Sequence, residues 1–223
     1  MSNHDAILSG AHELELQGQH LLLLPEKVLF WKEDRMLIIS DLHMGKAGHF
    51  RKAGIPVPGR VHIEEIFLLD ALISELNPAK IVFLGDLFHS NWNLEWPLFS
   101  DWLLNYSDKS THLVIGNHDI LSQLDYKRSG LMVNDELMSG PFLFSHERIV
   151  NNSFYNISGH IHPAIKLKGR ARQGISLPCF YFNKTHGYMP AFGKFTGAAR
   201  MNITRGDKIF GIAEGQVIEI PSR

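Results

Sequence analysis

Five apolar runs in this chain each end by delivering a side chain that can hold a metal, and this recurrence constrains the fold more than any other feature. Ile81 to Leu84 runs into Gly85 and Asp86, Leu37 to Ser40 into Asp41 and His43, and Leu113 to Gly116 into Asn117, His118 and Asp119. Phe142 to Ser145 runs into His146, and Tyr155 to Gly159 into His160 and His162. Short apolar runs bounded by turn residues read as buried strands. Side chains carried at the ends of neighbouring strands converge in space, so Asp86 reads as the bridging carboxylate of a two-metal centre with the other four groups around it.

Asp41-Leu42-His43 and His160-Ile161-His162 place two donors two residues apart, a spacing that in extended backbone sends both side chains to one side. Each residue taken singly also has an ordinary structural reading: Asp41 and Asp86 as helix caps, Asn117 as a turn former, the histidines as satisfied core or surface residues. The joint pattern after five strand-like runs is what favours a metal centre. Two divalent ions bring four positive charges and the two aspartates return two, which leaves a positive site for a phosphate anion. Imidazole and carboxylate donors without thiolate suit Mn, Fe, Zn or Co. His118, an imidazole beside such a site, is a natural general acid. Asp119 reads as the orienter of His118 or as the cap of the next helix, with the cap preferred.

With 223 residues the chain is long enough for one α/β domain with a full core, and the absence of repeats or low-complexity tracts predicts a single domain over residues 1–223. The lone Cys179 excludes an internal disulfide and a Cys-rich zinc site, reads as a small buried hydrophobe, and fits a reducing compartment. No apolar stretch approaches the ~20 residues of a membrane span, and the first residues lack the basic start and apolar core of a signal peptide. The expectation is a cytoplasmic protein that does not bind membranes.

A net charge of −1 hides a division along the chain. Residues 148–206 hold nine Lys or Arg and no Asp or Glu, whereas the first 147 residues hold 11 basic and 20 acidic side chains. Such asymmetry suggests a surface for a polyanion, unless folding scatters the charges over different faces. Within the basic segment, Arg170 and Arg172 follow closely on His160 and His162 and are candidate substrate-binding residues. The Gly- and Pro-rich stretch from Gly45 to Arg60, interleaved with Lys46, His49, Arg51 and Lys52, is a candidate binding loop or a solvated surface loop.

Between Glu13 and Trp31 the pattern reads as short antiparallel strands that join Met36 to Ser40 at one edge of a sheet. A helix from Arg60 to Leu76, stopped by Asn77-Pro78, precedes strand 81–84; a helix near 94–105 and a strand at 112–115 follow. After Leu131 the rhythm changes to short strands and turns. The expected architecture is a four-layer αββα sandwich of two mixed sheets flanked by helices.

At this point the sequence resembles the calcineurin-like metallophosphoesterases, whose pattern is matched by Asp41-Leu42-His43, Gly85-Asp86, Gly116-Asn117-His118-Asp119, His146 and Gly159-His160-Ile161-His162. The resemblance implies one metal held by Asp41, His43, Asp86 and His162, and a second held by Asp86, Asn117, His146 and His160. It also implies that Asn117 and His118 contact the substrate phosphate, that His118 assists the leaving group, and that the metal is manganese. The chain departs from a common family form: His89 stands where many members carry the Asp or Asn that supports the catalytic histidine, which argues against a protein serine/threonine phosphatase. Ser145-His146-Glu147 replaces the frequent pairing of that histidine with glycine. The segments His160 to Pro163, Leu177 to Phe180 and Pro190 to Gly197 are similar to bacterial DNA ligase-associated metallophosphoesterases. That similarity implies a DNA endonuclease of DNA repair, with DNA, a DNA ligase and other repair proteins as partners. His186, Tyr188 and Phe192 are either groove-lining or, preferably, core residues.

Two further readings stand beside this one. A small-molecule phosphoesterase, acting on nucleotide-sugar lipids or cyclic nucleotides, would use the same centre. A non-catalytic scaffold would need a broken set of ligands, and the set here is complete.

Overall fold

The structure is a computed structural model and describes residues 8–45, 61–88, 95–150, 153–168, 174–194 and 196–221. The Gly45 to Arg60 loop beyond its first residue, His89, Arg170 and Arg172 lie outside the described residues.

The first sheet has seven strands in sequence order: β1 (His12–Leu16), β2 (Gln19–Leu23), β3 (Leu29–Trp31), β4 (Met36–Ile39), β5 (Lys80–Leu84), β6 (Ser110–Val114) and β7 (Met132–Asn134). The antiparallel β1 to β4 edge begins with a tight hairpin, where Gln17 and Gly18 both take positive φ (53° and 71°), the handedness that matches strand twist. From β4 onward the strands are parallel, in the register Ile39 with Phe83 and Leu84 with Val114. Parallel neighbours require crossovers. Here these are the helices α1 (Val61–Leu76), α2 (Glu95–Leu104) and α3 (Gln123–Arg128). α1 ends at Asn77 in the left-handed conformation (φ 41°) with Pro78 behind it. Pro97 sits in the first turn of α2, where a missing N–H costs nothing.

The second sheet contains β8 (Leu137–Ser139), β9 (Phe142–Ser145), β10 (Tyr155–Ser158), β11 (Pro163–Lys168), β12 (Gly174–Phe182), β13 (His186–Tyr188), β14 (Ala199–Arg200), β15 (Lys208–Ala213) and β16 (Gln216–Ile220). Its path runs β14-β11-β12-β13-β10-β9-β8, with β15 on β12 and β16 on β15. Both sheets are mixed, as expected for an α/β sandwich. β13 has no counterpart in the sequence reading, because its three residues are too few to show alternation.

Two cores result. Helix residues Leu69, Leu72, Ile73, Trp96, Phe99 and Trp102 pack on Leu37, Ile39, Ile81 and Phe83 of the first sheet. The other faces of those strands, through Ile38, Val82 and Leu84, meet Phe142, Phe144, Ile157, Phe180 and Phe182 of the second sheet. Each buried aromatic or aliphatic side chain contributes about 1.5–3 kcal/mol by leaving water. The described helices all lie against the first sheet. The outward face of the second carries a smaller cluster built on Ile165, Cys179, Tyr181, Tyr188 and Ile209. His186 and Tyr188 are buried, and Phe192 belongs to the helix-side core, which matches the core reading of these residues.

Candidate metal centre

The carboxyl ends of β4, β5 and β6 lie side by side in the first sheet, and those of β9 and β10 lie side by side in the second, where Ser145 pairs with Ser158. All five ligand-bearing segments therefore leave their strands at one end of the sandwich, the usual place for a site in such sheets. Backbone hydrogen bonds knit the exits together: Asp41 N–H donates to Gly85 O at 3.3 Å, His43 N–H to Asp86 O at 2.8 Å, and Gly159 N–H to His146 O at 3.1 Å.

Two clusters of donor atoms form there: Asp41, His43 and His162 in one, Asp86, His146 and His160 in the other. Asp86 stands between them, with Oδ1 3.4 Å from His146 Nε2 and Oδ2 3.8 Å from His43 Nε2. Asn117 joins the second group, since its Oδ1 lies 2.9 Å from His146 Nε2 and 3.1 Å from His160 Nδ1, and those two nitrogens are 3.1 Å apart. An equilateral triangle of donors with edges near 3 Å is what surrounds a cation bound at about 2.1 Å. The ring of His118 lies 5.8 Å from that of His43, and its backbone N–H donates to Asp86 Oδ1 at 2.9 Å.

The outer hydrogen bonds select which nitrogen of each histidine faces inward. His146 Nδ1 is 3.0 Å from the Leu84 carbonyl and His162 Nδ1 is 3.0 Å from that of Gly197. A carbonyl only accepts, so both Nδ1 atoms carry the proton and both Nε2 atoms present a lone pair to the centre. His162 Nε2 then faces Asp41 Oδ1 at 3.1 Å, two acceptors that need a cation between them or a second proton on the ring. The donor set and its tautomers fit divalent metals.

Burial alone would raise the Asp41 carboxyl pKa. When His162 carries the second proton, its hydrogen bond and charge, with a hydrogen bond from Ser40 Oγ, reverse this and hold it below the ordinary value.

The ligand segments are not extended, so the two-residue spacing does not bring its donors together in the way a strand would. Asp41, His43, Asp86, His160 and His162 all have φ between 49° and 65°. Left-handed backbone at non-glycine residues is uncommon and gathers at functional sites, where surrounding hydrogen bonds hold it. The glycines preceding the ligands serve close approach. A Cβ on Gly85 would come 2.3 Å from His146 Nδ1, one on Gly116 2.5 Å from Asp86 Oδ1, and one on Gly159 2.0 Å from Ser40 Oγ.

Asp119 does not cap the next helix. α3 is capped by Ser122, whose Oγ accepts from Asp125 N–H at 3.2 Å. Asp119 instead accepts from Leu87 N–H (2.9 Å), Phe88 N–H (3.1 Å) and Gly116 N–H (2.8 Å), tying the loop after β5 to the loop after β6. Burial pushes its pKa up to about 6, against the pull of those backbone donors. Neither this role nor that of the Gly197 carbonyl behind His162 has a local signal in the chain, since both depend on partners distant in sequence.

The family model for calcineurin-like phosphoesterases matches residues 35–197, a span that contains every ligand candidate. The chain belongs to the calcineurin-like phosphoesterase family. Among solved structures, nuclease MPE of Pseudomonas putida superposes with a TM-score of 0.78 at 24% identity, over 94% of this chain and 100% of the other. Yfce, a phosphoesterase from E. coli, superposes with a TM-score of 0.46 at 12% identity over 84% of this chain and 99% of the other. No curated protein matches. As a calcineurin-like phosphoesterase the chain falls in a family that uses divalent metals, and the two donor clusters supply candidate places for them. Among the described residues no helix is long and apolar enough to cross a membrane.

Proposed function

We propose that the chain is a dinuclear-metal-dependent phosphodiesterase that cleaves DNA, acting as an endonuclease. The observation that carries this reading is the position of Asp86 between two histidine-containing donor clusters, with His118 alongside. Asp41, His43, Asp86 and His162 would hold one ion and Asp86, Asn117, His146 and His160 the other, with manganese favoured. Bound there, two divalent ions supply Lewis acidity and lower the pKa of a water molecule.

The chain's own residues do the rest. Asp86 offers one oxygen to each cluster. The Leu84 and Gly197 carbonyls keep His146 and His162 in the tautomer that points Nε2 inward. His118, whose backbone is tied to Asp86, gives its proton to the leaving oxygen, a contribution of about 10²–10⁴ in rate. The fold-level likeness to nuclease MPE over full length and the basic composition of residues 148–206 point to nucleic acid as the diester. The similarity to DNA ligase-associated members extends the proposal to cytoplasmic DNA repair beside a DNA ligase and other repair proteins, with residues 1–223 acting as one catalytic domain. Arg170 and Arg172 would contact the DNA backbone.

The test is metal-stripped protein refilled with manganese and assayed on bis-p-nitrophenyl phosphate, p-nitrophenyl phosphate and plasmid DNA. The expected result is diester hydrolysis well above monoester hydrolysis, with nicking of the plasmid. Preference for the monoester, or diesterase activity that leaves all DNA intact, overturns the nuclease reading and favours a small-molecule phosphoesterase.

A further inference from the structure

The long strand β12 leaves the core part-way along its length. Phe180 and Phe182 face the first sheet within the inter-sheet core. Pro178 and Ser176 lie on the same face of the strand, because residues two apart share a side. They line a cleft of about 270 Å³ together with Lys27, Lys194 and Thr196. His162 forms part of its wall: Nε2 points to Asp41, while Nδ1 points to Gly197, which also lines the cleft. The cleft and the metal centre are thus neighbours with one imidazole between them.

Strand register extends the basic character of this face. Ser176 pairs with Lys166, and Ala164, which lines the cleft, pairs with Arg200 on β14. Directly paired residues point to the same side of a sheet, so Lys166 and Arg200 continue the surface that starts at the cleft. Both are exposed. Among the described residues no carboxylate lines the cleft. Carboxylates close by include Asp41, 3.1 Å from His162 Nε2, Glu64, 2.6 Å from Lys194 Nζ in a half-exposed pair, and Glu65, whose Oε1 accepts from Lys194 N–H at 3.1 Å. Burial holds the Lys27 ammonium pKa below its ordinary value, while the charge of Glu65 pulls it up more than the charge of Lys194 pushes it down. An anion in the cleft would meet the charges of Lys27 and Lys194, and the Ser176 hydroxyl offers it a donor, whereas the Thr196 hydroxyl donates to the Gly193 carbonyl at 3.3 Å.

We propose that this cleft is a phosphate-binding subsite outside the metal centre, and that Lys27, Lys166 and Arg200 lead a phosphate-bearing strand along the inner face of β11 and β12 toward His162. The identification of that strand as nucleic acid rests on the nuclease reading. The subsite itself rests on the cleft, its cations and the strand register. A free phosphate presents the same chemistry, and the test separates the two sources.

The test compares metal-loaded wild-type protein with the variant Lys27→Asn/Lys166→Ala/Arg200→Ala. Asn suits position 27, where φ is 66°. Hydrolysis of bis-p-nitrophenyl phosphate, which has no flanking phosphate, is expected to stay within twofold of wild type and serves as the check on folding. On a single-stranded oligodeoxynucleotide, kcat/KM is expected to fall, and the slope of its logarithm against that of salt concentration to flatten by about 2, at roughly 0.7 for each phosphate no longer neutralised. That outcome identifies the polymer as the source. Calorimetric titration with inorganic phosphate forms the second arm: a binding event present in wild type and absent from the variant supports the subsite with free phosphate as its ligand. Wild-type protein that hydrolyses the synthetic diester and no DNA overturns the nuclease reading, while the phosphate arm still judges the subsite. Unchanged oligonucleotide kinetics together with unchanged phosphate binding overturn the subsite.

Discussion

Asp86 reaches two histidines on different strand exits, His146 through Oδ1 at 3.4 Å and His43 through Oδ2 at 3.8 Å. In the proposed two-metal centre, one carboxylate facing both clusters would make the occupancy of the two sites interdependent. Asp86→Asn removes the charge that offsets repulsion between two cations and replaces one donor oxygen by an amide. Metal content is expected to fall from two ions per chain to one or fewer, with diesterase activity abolished, as read by elemental analysis and bis-p-nitrophenyl phosphate turnover. Two retained ions and near-normal turnover would refute the bridging role.

In the proposed reaction His118 acts on the substrate. Its ring is close to that of His43, and His118 belongs to neither donor cluster. His118→Asn should therefore keep both ions and lose about 10²–10⁴ in rate on a substrate with a poor leaving group. The loss should shrink for p-nitrophenolate, which departs without a proton. Equal losses for good and poor leaving groups would remove the acid role.

The glycines can be sorted by what surrounds them. A Cβ on Gly159 meets Ser40 Oγ at 2.0 Å and Asp41 Oδ2 at 2.5 Å, whereas one on Gly18 meets nothing within 4 Å. Gly159→Ala is expected to cost about 1–3 kcal/mol by overpacking and to weaken metal binding through Asp41. Gly18→Ala is expected to cost about 1–2 kcal/mol from its left-handed backbone alone, with metal content and activity unchanged. Chemical denaturation and metal titration of the two variants provide the comparison.

Asp119 ties three backbone N–H groups from two loops to one buried carboxylate. Asp119→Ala leaves these donors without their acceptor, at a cost of at least about 2 kcal/mol. Because the tied loops carry Asp86 and Asn117, metal affinity should fall with stability. A variant as stable as wild type that binds metal normally would show the tie to be dispensable.

Cys179 is fully buried, and burial pushes its thiol pKa up to about 12. The native protein should present no thiolate to Ellman's reagent at pH 8 and should release one equivalent once unfolded in guanidinium. Rapid reaction of the native protein would contradict the packing of the outer cluster of the second sheet.

Much of the fold and the site was legible in the chain because its causes are local. Apolar runs of four or five residues declare β4, β5, β6, β9 and β10, and the polar residue that ends each run must sit at a strand exit. Gln17-Gly18 and Glu214-Gly215, each with two positive φ angles, close hairpins by their own conformational preference. The side chains grouped by the sequence pattern are the ones the structure brings together at one end of the two sheets. Tertiary structure decided what depends on distant partners. The left-handed backbone of Asp41, His43, Asp86, His160 and His162 is held by contacts between loops, so the extended geometry suggested by a two-residue spacing does not occur. The inward nitrogen of His162 is chosen by the carbonyl of Gly197, 35 residues away. The three donors of Asp119 come from two separate strand exits. The cleft gathers Lys27 and Lys194 from separate loops, and strand register sets Arg200 beside Ala164, a neighbourhood that no single stretch of sequence contains.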